Sequence, residues 1–558
     1  MGRQERNRMK FNLLARFWGS LSAPGLILGT LFFTMALTPT LIPRTFVTQG
    51  VLSGFGFAAG YGIGVLLNWL WRYMELPRPG PRVSHPLTWL VLAACVGTAI
   101  AFLARTADWQ NTIRSLMGLD PLATGHPFRV SAIALVTFLA VLVLARLFRL
   151  VSRLVSRRIG RVVPRRVANV IGVAFAVLLA WGLGSNLLGR AVLQALDSSF
   201  EQLDAFIEPT IAPPASALRT GSAQSLLGWE ALGRMGRAFV GAGPQTSDIG
   251  AFTDGQAREP IRIYVGMRAA ETATERAQIA LAEMKRVGAF DRAALVVITP
   301  TGTGWVDPAA IDGLEYLLHG DVASVAMQYS YLNSPLSLLV QPDYGLDSAR
   351  ALFVAVYEHW RSLPRDRRPE LYLYGLSLGA LNSERSAALF EMIDDPVNGA
   401  LWSGPPFESE IWRRITDSRN PGSPAWLPLF RDGSFVRFMN QHGVAPGTGT
   451  AWGPMRIVYL QYASDAITFF DYRDLYRRPA WMDAPRGPDV SPELAWYPVI
   501  TMLQLALDMA MATTTPIGYG HVYAPAHYIE AWASLVGDRG WTRGEIERLK
   551  QHLAPPAP

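Results

Sequence analysis

A chain of 558 residues, half of them apolar and 17% charged, is too long for one ordinary core and predicts at least two domains. Its formal charge of +7 is a sum of opposites: residues 1–190 hold 21 Lys and Arg against Glu5, Glu75, Asp108 and Asp120, and the remainder holds 30 against 40. Basic residues interleaved with long apolar runs argue against a nucleic-acid partner, and a lone Cys95 allows no intramolecular disulfide.

Residues 1–190 read as a multi-span transmembrane domain. Apolar stretches run from Ala23 to Leu41, Val51 to Leu70, Leu87 to Ala104, Val130 to Leu147 and Val167 to Leu188, each near the roughly 20 residues that cross a bilayer. Five spans are expected. The first has the basic lead of a signal peptide, but its length and the four spans behind it favour an anchor. With the amino terminus inside, the cytoplasmic segments hold 16 Lys and Arg and the outer ones four, eight of them between Arg146 and Arg166. The positive-inside rule then places everything after residue 190 outside. Those eight arginines also suit an amphipathic helix lying on anionic lipid.

Residues 191–260 read as a linker and lead-in segment, with a helix expected from Leu193 to Ile207 and a break at Ala212-Pro213-Pro214-Ala215. From 261 to 558, short Val-, Ile- and Tyr-rich runs alternate with helical periodicity, which predicts a mostly parallel sheet covered by helices. The expected strands are Ile261 to Val265, Ala294 to Thr299, Val322 to Tyr329, Leu371 to Tyr374, Gly399 to Trp402 and Arg456 to Tyr462. An apolar helix near Val499 to Ala512 precedes the last loop.

Gly375-Leu376-Ser377-Leu378-Gly379 follows the fourth of these strands and opens a helix-favouring stretch from Ala380 to Met392. A serine between glycines at a strand-to-helix turn has its hydroxyl projecting, and the glycines remove side chains that would strike the neighbouring strand and helix. Ser377 is therefore the candidate nucleophile. It needs an imidazole to take its proton and a carboxylate to orient that imidazole. Asp465 ends the Arg456 to Tyr462 strand on the same sheet edge, although an N-cap role fits it equally in kind, and Asp471 and Asp474 are reserves. His521 lies in the loop Pro516-Ile517-Gly518-Tyr519-Gly520-His521, with His527 its competitor. For the oxyanion, the backbone N–H of Leu378 and one from Pro300-Thr301-Gly302-Thr303-Gly304-Trp305 are candidates, Gly302 ahead of Thr301. That loop lacks the Lys-Ser/Thr of a phosphate loop.

Thr299 to Trp305, Val325 to Tyr331, the turn at Ser377 and Gly520-His521-Val522-Tyr523 together resemble the α/β-hydrolase superfamily, in its bacterial branch with a multi-span amino-terminal region. The resemblance implies a triad of Ser377, Asp465 and His521, ester or related acyl chemistry, and no cofactor or metal. Pro300-Thr301 stands where many lipases and esterases carry His-Gly. The expected activity is that of a membrane-anchored serine hydrolase of the inner membrane whose catalytic part is periplasmic. A tether beside the bilayer favours lipid or lipid-linked acyl esters. Ser334 to Val340 and Trp426 to Phe430 are apolar loop stretches that either line an acyl pocket or pack in the core. Acyl transfer to an envelope lipid or sugar, and a non-catalytic ligand-binding domain on a transport or sensing module, are the alternatives.

Overall fold

The computed structural model describes residues 21–555 apart from 78–79, 162, 183–203, 209–210, 254, 256, 333–342, 388–391 and 393. The expected helix from Leu193 and the apolar stretch Ser334 to Val340 lie largely or wholly outside these residues. Two compact units emerge. One comprises residues up to Leu188 together with Phe470–Met482 and Pro488–Met511; the other comprises Gly189–Phe469, Asp483–Gly487 and Ala512–Pro558.

The first unit is all helical at its amino-terminal part: α1 (Ala23–Ala36), α2 (Phe46–Tyr73), α3 (Pro81–Leu116), α4 (Pro127–Ile159) and α5 (Arg165–Gly182). Among the described residues three helices, within α2, α3 and α4, are long and apolar enough to cross a membrane, rather than the five expected. α1 stops after 14 residues, about 21 Å, because Pro39 and Pro43 follow and a residue before proline is pushed out of helical geometry. α5 is described for 18 residues, and its expected continuation to Leu188 lies outside the described range. α4 runs unbroken to Ile159, so Arg146 to Arg158 ride on a helix and not in a loop.

Glycines set the packing of α2. A Cβ on Gly60 would fall 2.3 Å from the Leu28 carbonyl oxygen of α1, and one on Gly54 would fall 2.7 Å from that of Ala134 in α4. Small residues thus let two helix backbones approach α2 on different faces, the usual packing mode where lipid removes the hydrophobic drive between helices. The chain between α1 and α2 is buried beneath the helix Ile500–Ala510, whose Asp508 accepts from Leu41 N (3.1 Å), Arg44 Nε (3.3 Å), Arg44 Nη2 (3.2 Å) and the Thr40 hydroxyl. Ile500 packs with Ala36 and Leu52.

The second unit is built on an eight-stranded sheet of β1 (Ile261–Val265), β2 (Ala294–Thr299), β3 (Val322–Met327), β4 (Glu370–Leu376), β5 (Gly399–Ser403), β6 (Val436–Asn440), β7 (Gly443–Val444) and β8 (Arg456–Leu460). The order is β1-β3-β2-β4-β5-β8-β6-β7, with every pairing parallel except β6 with β7. Strands β1, β2, β3 and β5 are buried along their whole length, which is why they read as continuous apolar runs. Helix Ala273–Arg286 packs with Tyr344–Ser362, and Pro308–Leu317 with Pro525–Val536. Trp532 of the latter helix meets Tyr372 of β4 edge to face at 6.0 Å. β6 and β7 lie outside the expected strands, being short and set among Gly, Asp and Ser. Of the stretch Trp426 to Phe430, Leu427 and Pro428 are buried, and the Trp426 carbonyl accepts from Gln461 Nε2 at 2.9 Å. Core packing accounts for that stretch.

Candidate active site

β4 ends at Leu376, and the helix Leu378–Ser386 begins at once, leaving Ser377 to make the turn alone with φ 57° and ψ −125°. That is a region in which a residue with a side chain is strained. The fold holds it there from both sides. A Cβ on Gly375 would stand 2.4 Å from the Gly379 carbonyl oxygen, and one on Gly379 would stand 2.2 Å from that of Thr299 at the end of β2. The flanking glycines are therefore steric necessities, and the loop after β2 is pressed against the first turn of the helix.

Asp465 and His521 come together. Tyr462 ends the run from β8, and Asp465 follows in the turn before helix Ala466–Phe469. Asp465 Oδ1 accepts from Ile467 N at 2.9 Å, the helix-capping role, while Oδ2 accepts from His521 Nδ1 at 2.7 Å. One oxygen thus serves the short helix and the other meets the imidazole. Oδ2 also accepts from the Tyr523 hydroxyl at 2.8 Å and from Thr468 Oγ1 at 3.3 Å. One residue earlier, Ser464 Oγ accepts from Gly520 N at 2.9 Å, so adjacent residues of the acid turn tie down adjacent residues of the histidine loop. His521 N donates to Ala512 O at 3.1 Å, and Gly518 N to Val522 O at 2.7 Å.

A carboxylate only accepts, so Nδ1 of the neutral imidazole carries the hydrogen and Nε2 is the basic nitrogen. That Nε2 is buried and makes no hydrogen bond among the described residues. No hydrogen bond joins Ser377 to His521, yet both adjoin one backbone corner. Ser377 N donates to Ser403 O at 2.9 Å, and the next residue, Gly404, is so close to the imidazole that a Cβ there would stand 2.5 Å from Cε1. Ser377 is 6% exposed, His521 7% and Asp465 0%.

The competitors are otherwise engaged. His527 Nδ1 is 2.5 Å from the Tyr462 hydroxyl, and burial, with Lys550 and His442 nearby, pushes its pKa down to about 4. Asp471 and Asp474 belong to the first unit, where they form the capping box of a short 3-10 turn.

Of the oxyanion candidates, Leu378 N is at the first turn of its helix, where N–H groups have no intrahelical acceptor. Thr301 N instead donates to Trp305 O at 3.0 Å, and Gly304 N to Thr301 O at 2.8 Å, so the loop closes on itself and Thr301 gives up its donor there. Gln328 Nε2 reaches Thr303 O at 3.3 Å, and the Tyr264 hydroxyl donates to Gly304 O at 2.7 Å.

Three residues of this site escaped sequence reasoning. Tyr523 binds the acid; its signal was only its place two residues after His521. Gly404 makes room for the ring. Asp307, buried at the head of helix Pro308–Leu317, accepts from Ala309 N at 3.0 Å, and burial pushes its carboxyl up to about 6 against that bond. Asp-Pro before a helical run was its legible signature. Among the described residues no group of three or more His, Cys, Asp and Glu side chains is arranged to hold a metal ion.

A strained serine turn between glycines on a parallel sheet, with an Asp–His pair on the neighbouring loops, is the setting against which comparison with known proteins is informative. Residues 261–549 match the model of an α/β-hydrolase family, and residues 37–244 match that of the same family's N-terminus. The chain belongs to this α/β-hydrolase family. Membership points to hydrolase activity in general, and the apolar helices of membrane length make the protein membrane-associated. No curated protein and no solved structure matches the chain.

Proposed function

We propose that this α/β-hydrolase cleaves acyl esters with Ser377 as nucleophile, His521 as general base and Asp465 as the group that orients and stabilises the imidazole. The observation that carries the reading is the 2.7 Å bond from His521 Nδ1 to Asp465 Oδ2, with a buried Nε2 that has no partner among the described residues beside the corner that also holds Ser377. In the proposed cycle Nε2 takes the Ser377 proton as Oγ attacks the acyl carbonyl, and then gives it to the departing alcohol. Water enters, loses a proton to Nε2 and releases the acid, restoring the serine. Leu378 N and an N–H of the Gly302 loop are the donors for the oxyanion, each worth about 100- to 1,000-fold in rate. No cofactor enters this chemistry.

Lipid or lipid-linked esters are the substrate class this reading favours, because membrane-length helices hold the hydrolase where such esters are concentrated. In the same reading the protein is bacterial and resides in the inner membrane. The arginines from Arg146 to Arg166 stay cytoplasmic, the stretch from Val167 carries the chain across, and the hydrolase works on the periplasmic side.

Fluorophosphonate labelling of the full chain tests the chemistry. Wild type labels and Ser377→Ala does not; equal labelling of the two would end the assignment. Products from a fatty-acyl ester, with and without an added alcohol, separate hydrolysis from acyl transfer, and labelling of intact cells by a membrane-impermeant probe reports the side.

A further inference from the structure

We propose that a cavity in the helical unit, between α2 and α4, binds one anionic phospholipid, with an acyl chain along its apolar wall and the phosphate on Arg146, Arg149 and Arg153. The two helices run parallel and in contact at first: Gly50 lies against Val130 and Ile133, and Gly54 against Ala134 and Thr137. After Tyr61 and Phe138, whose rings meet edge to face at 5.4 Å, a cavity of about 450 Å³ opens between them, within the range of sites that take a single organic ligand. Ala58 and Val65 of α2, with Val141 and Leu142 of α4, form its apolar wall. Arg146, Arg149 and Arg153 line its other end. At spacings of three and four they share one face of α4.

Depth decides what such a cavity holds. From Pro127, the first residue of α4, to Ala145 the helix rises about 27 Å, close to the roughly 30 Å of a hydrocarbon core. Arg146 is thus the first residue at headgroup level. The parallel helix α2 agrees, since its matching end carries exposed Trp69, Trp71 and Tyr73, the aromatic belt of a membrane interface. A greasy slot ending in guanidiniums at that level matches a lipid with a phosphate head. The planar fork of arginine suits phosphate oxygens better than a point charge does, and the apolar wall selects a lipid over free phosphate. Each arginine near an anionic headgroup contributes about a fivefold factor to binding.

The test is native mass spectrometry of the full chain in neutral detergent after incubation with phosphatidylglycerol or with phosphatidylcholine of the same acyl chains. Wild type is expected to retain one phosphatidylglycerol and no phosphatidylcholine. R146Q/R149Q/R153Q should lose retention by roughly tenfold or more. R157Q/R158Q, on the same helix outside the cavity, should keep it, and Val141→Trp, which fills the slot with its charge intact, should lose it. Competition by excess glycerol phosphate should fail, because the head alone lacks the wall. Fluorophosphonate labelling at wild-type level shows that each variant has folded. Equal retention of the two lipids, equal loss in the two arginine variants, retention by Val141→Trp or full displacement by glycerol phosphate would each overturn the site.

Discussion

The two units each bury an aspartate facing a cation or a potential cation, and they finish the job differently. In the helical unit Asp508 takes four donors from Thr40, Leu41 and Arg44, and Arg44 and Asp508 have side chains fully removed from solvent. Every oxygen is answered, as the interior demands of a charge. In the sheet unit Asp465 is equally buried and equally well answered, but its partner His521 keeps one buried nitrogen without a hydrogen bond. An orphan polar atom is a cost that a purely structural pair avoids. A closed pair fixes a loop to a helix, whereas the open pair leaves a ring nitrogen for the proton transfer that we propose.

Three variants press on that contrast, beginning with the largest effect. Asp465→Asn keeps the size but removes the acceptor that fixes the His521 tautomer, so ester turnover should fall by about 10⁴-fold while the thermal midpoint of the purified chain moves little. A large drop in midpoint with modest loss of turnover would make Asp465 a structural group like Asp508. Asp508→Ala should do the reverse, stranding the buried Arg44 guanidinium at a cost of about 3–5 kcal/mol with fluorophosphonate reactivity retained at low temperature. Replacing both partners, Arg44→Met with Asp508→Leu, should recover most of the loss. Failure to recover would show that the Leu41 and Thr40 bonds, not the charges, hold the segment.

Asp307 gives the comparison a pH axis. Its carboxyl is raised to about 6 by burial, against about 3.9 in an unfolded chain. Between those values the unfolded state has released its proton and the native state has kept it, so native stability falls as pH rises from about 4 to 6 and levels off above that. The expected span is on the order of 3 kcal/mol. Asp307→Asn preserves a favoured N-cap and should melt without that slope, so that the difference between variant and wild-type stability changes across the same pH window. A variant that keeps the wild-type slope, with a difference independent of pH, would assign the titration elsewhere.

The sheet was legible where its strands are buried on both faces, since runs such as Ala294 to Thr299 have no polar alternation to confuse with a helix. The turn at Ser377 was legible because steric need leaves a glycine signature, and the position of Asp465 because it follows a readable strand. What stayed hidden is what sequence spacing does not encode. Helix Ile500–Ala510 is apolar either way, and nothing in its periodicity distinguishes a soluble core from a bundle of membrane helices. Hydropathy likewise counted Ala23 to Leu41 as one span, although Pro39 and Pro43 cut the helix at Ala36. Gly404 and Tyr523 act on the site through tertiary contact alone, and Thr301 is lost as a donor because its loop folds back to Trp305.

Tyr523 offers the finest test of the open pair. Its hydroxyl and His521 Nδ1 share the same carboxylate oxygen, and burial beside Asp465 holds its pKa well above 10, so it stays a donor throughout the working range. Two donors on one oxygen divide its charge, and the hydroxyl fixes where that oxygen points. Tyr523→Phe removes a hydrogen bond to a charged group, worth about 1.5–3 kcal/mol of stability, yet leaves Asp465 its bonds from His521, Thr468 and Ile467. The carboxylate then keeps its bond to the imidazole but loses the hydroxyl that fixes where Oδ2 points. Ester turnover should therefore fall by no more than about tenfold, with the loss in kcat and not in KM. If turnover is unchanged, Tyr523 only packs against Tyr462, whose ring it stacks on at 4.5 Å, and Asp465 holds the imidazole without its help.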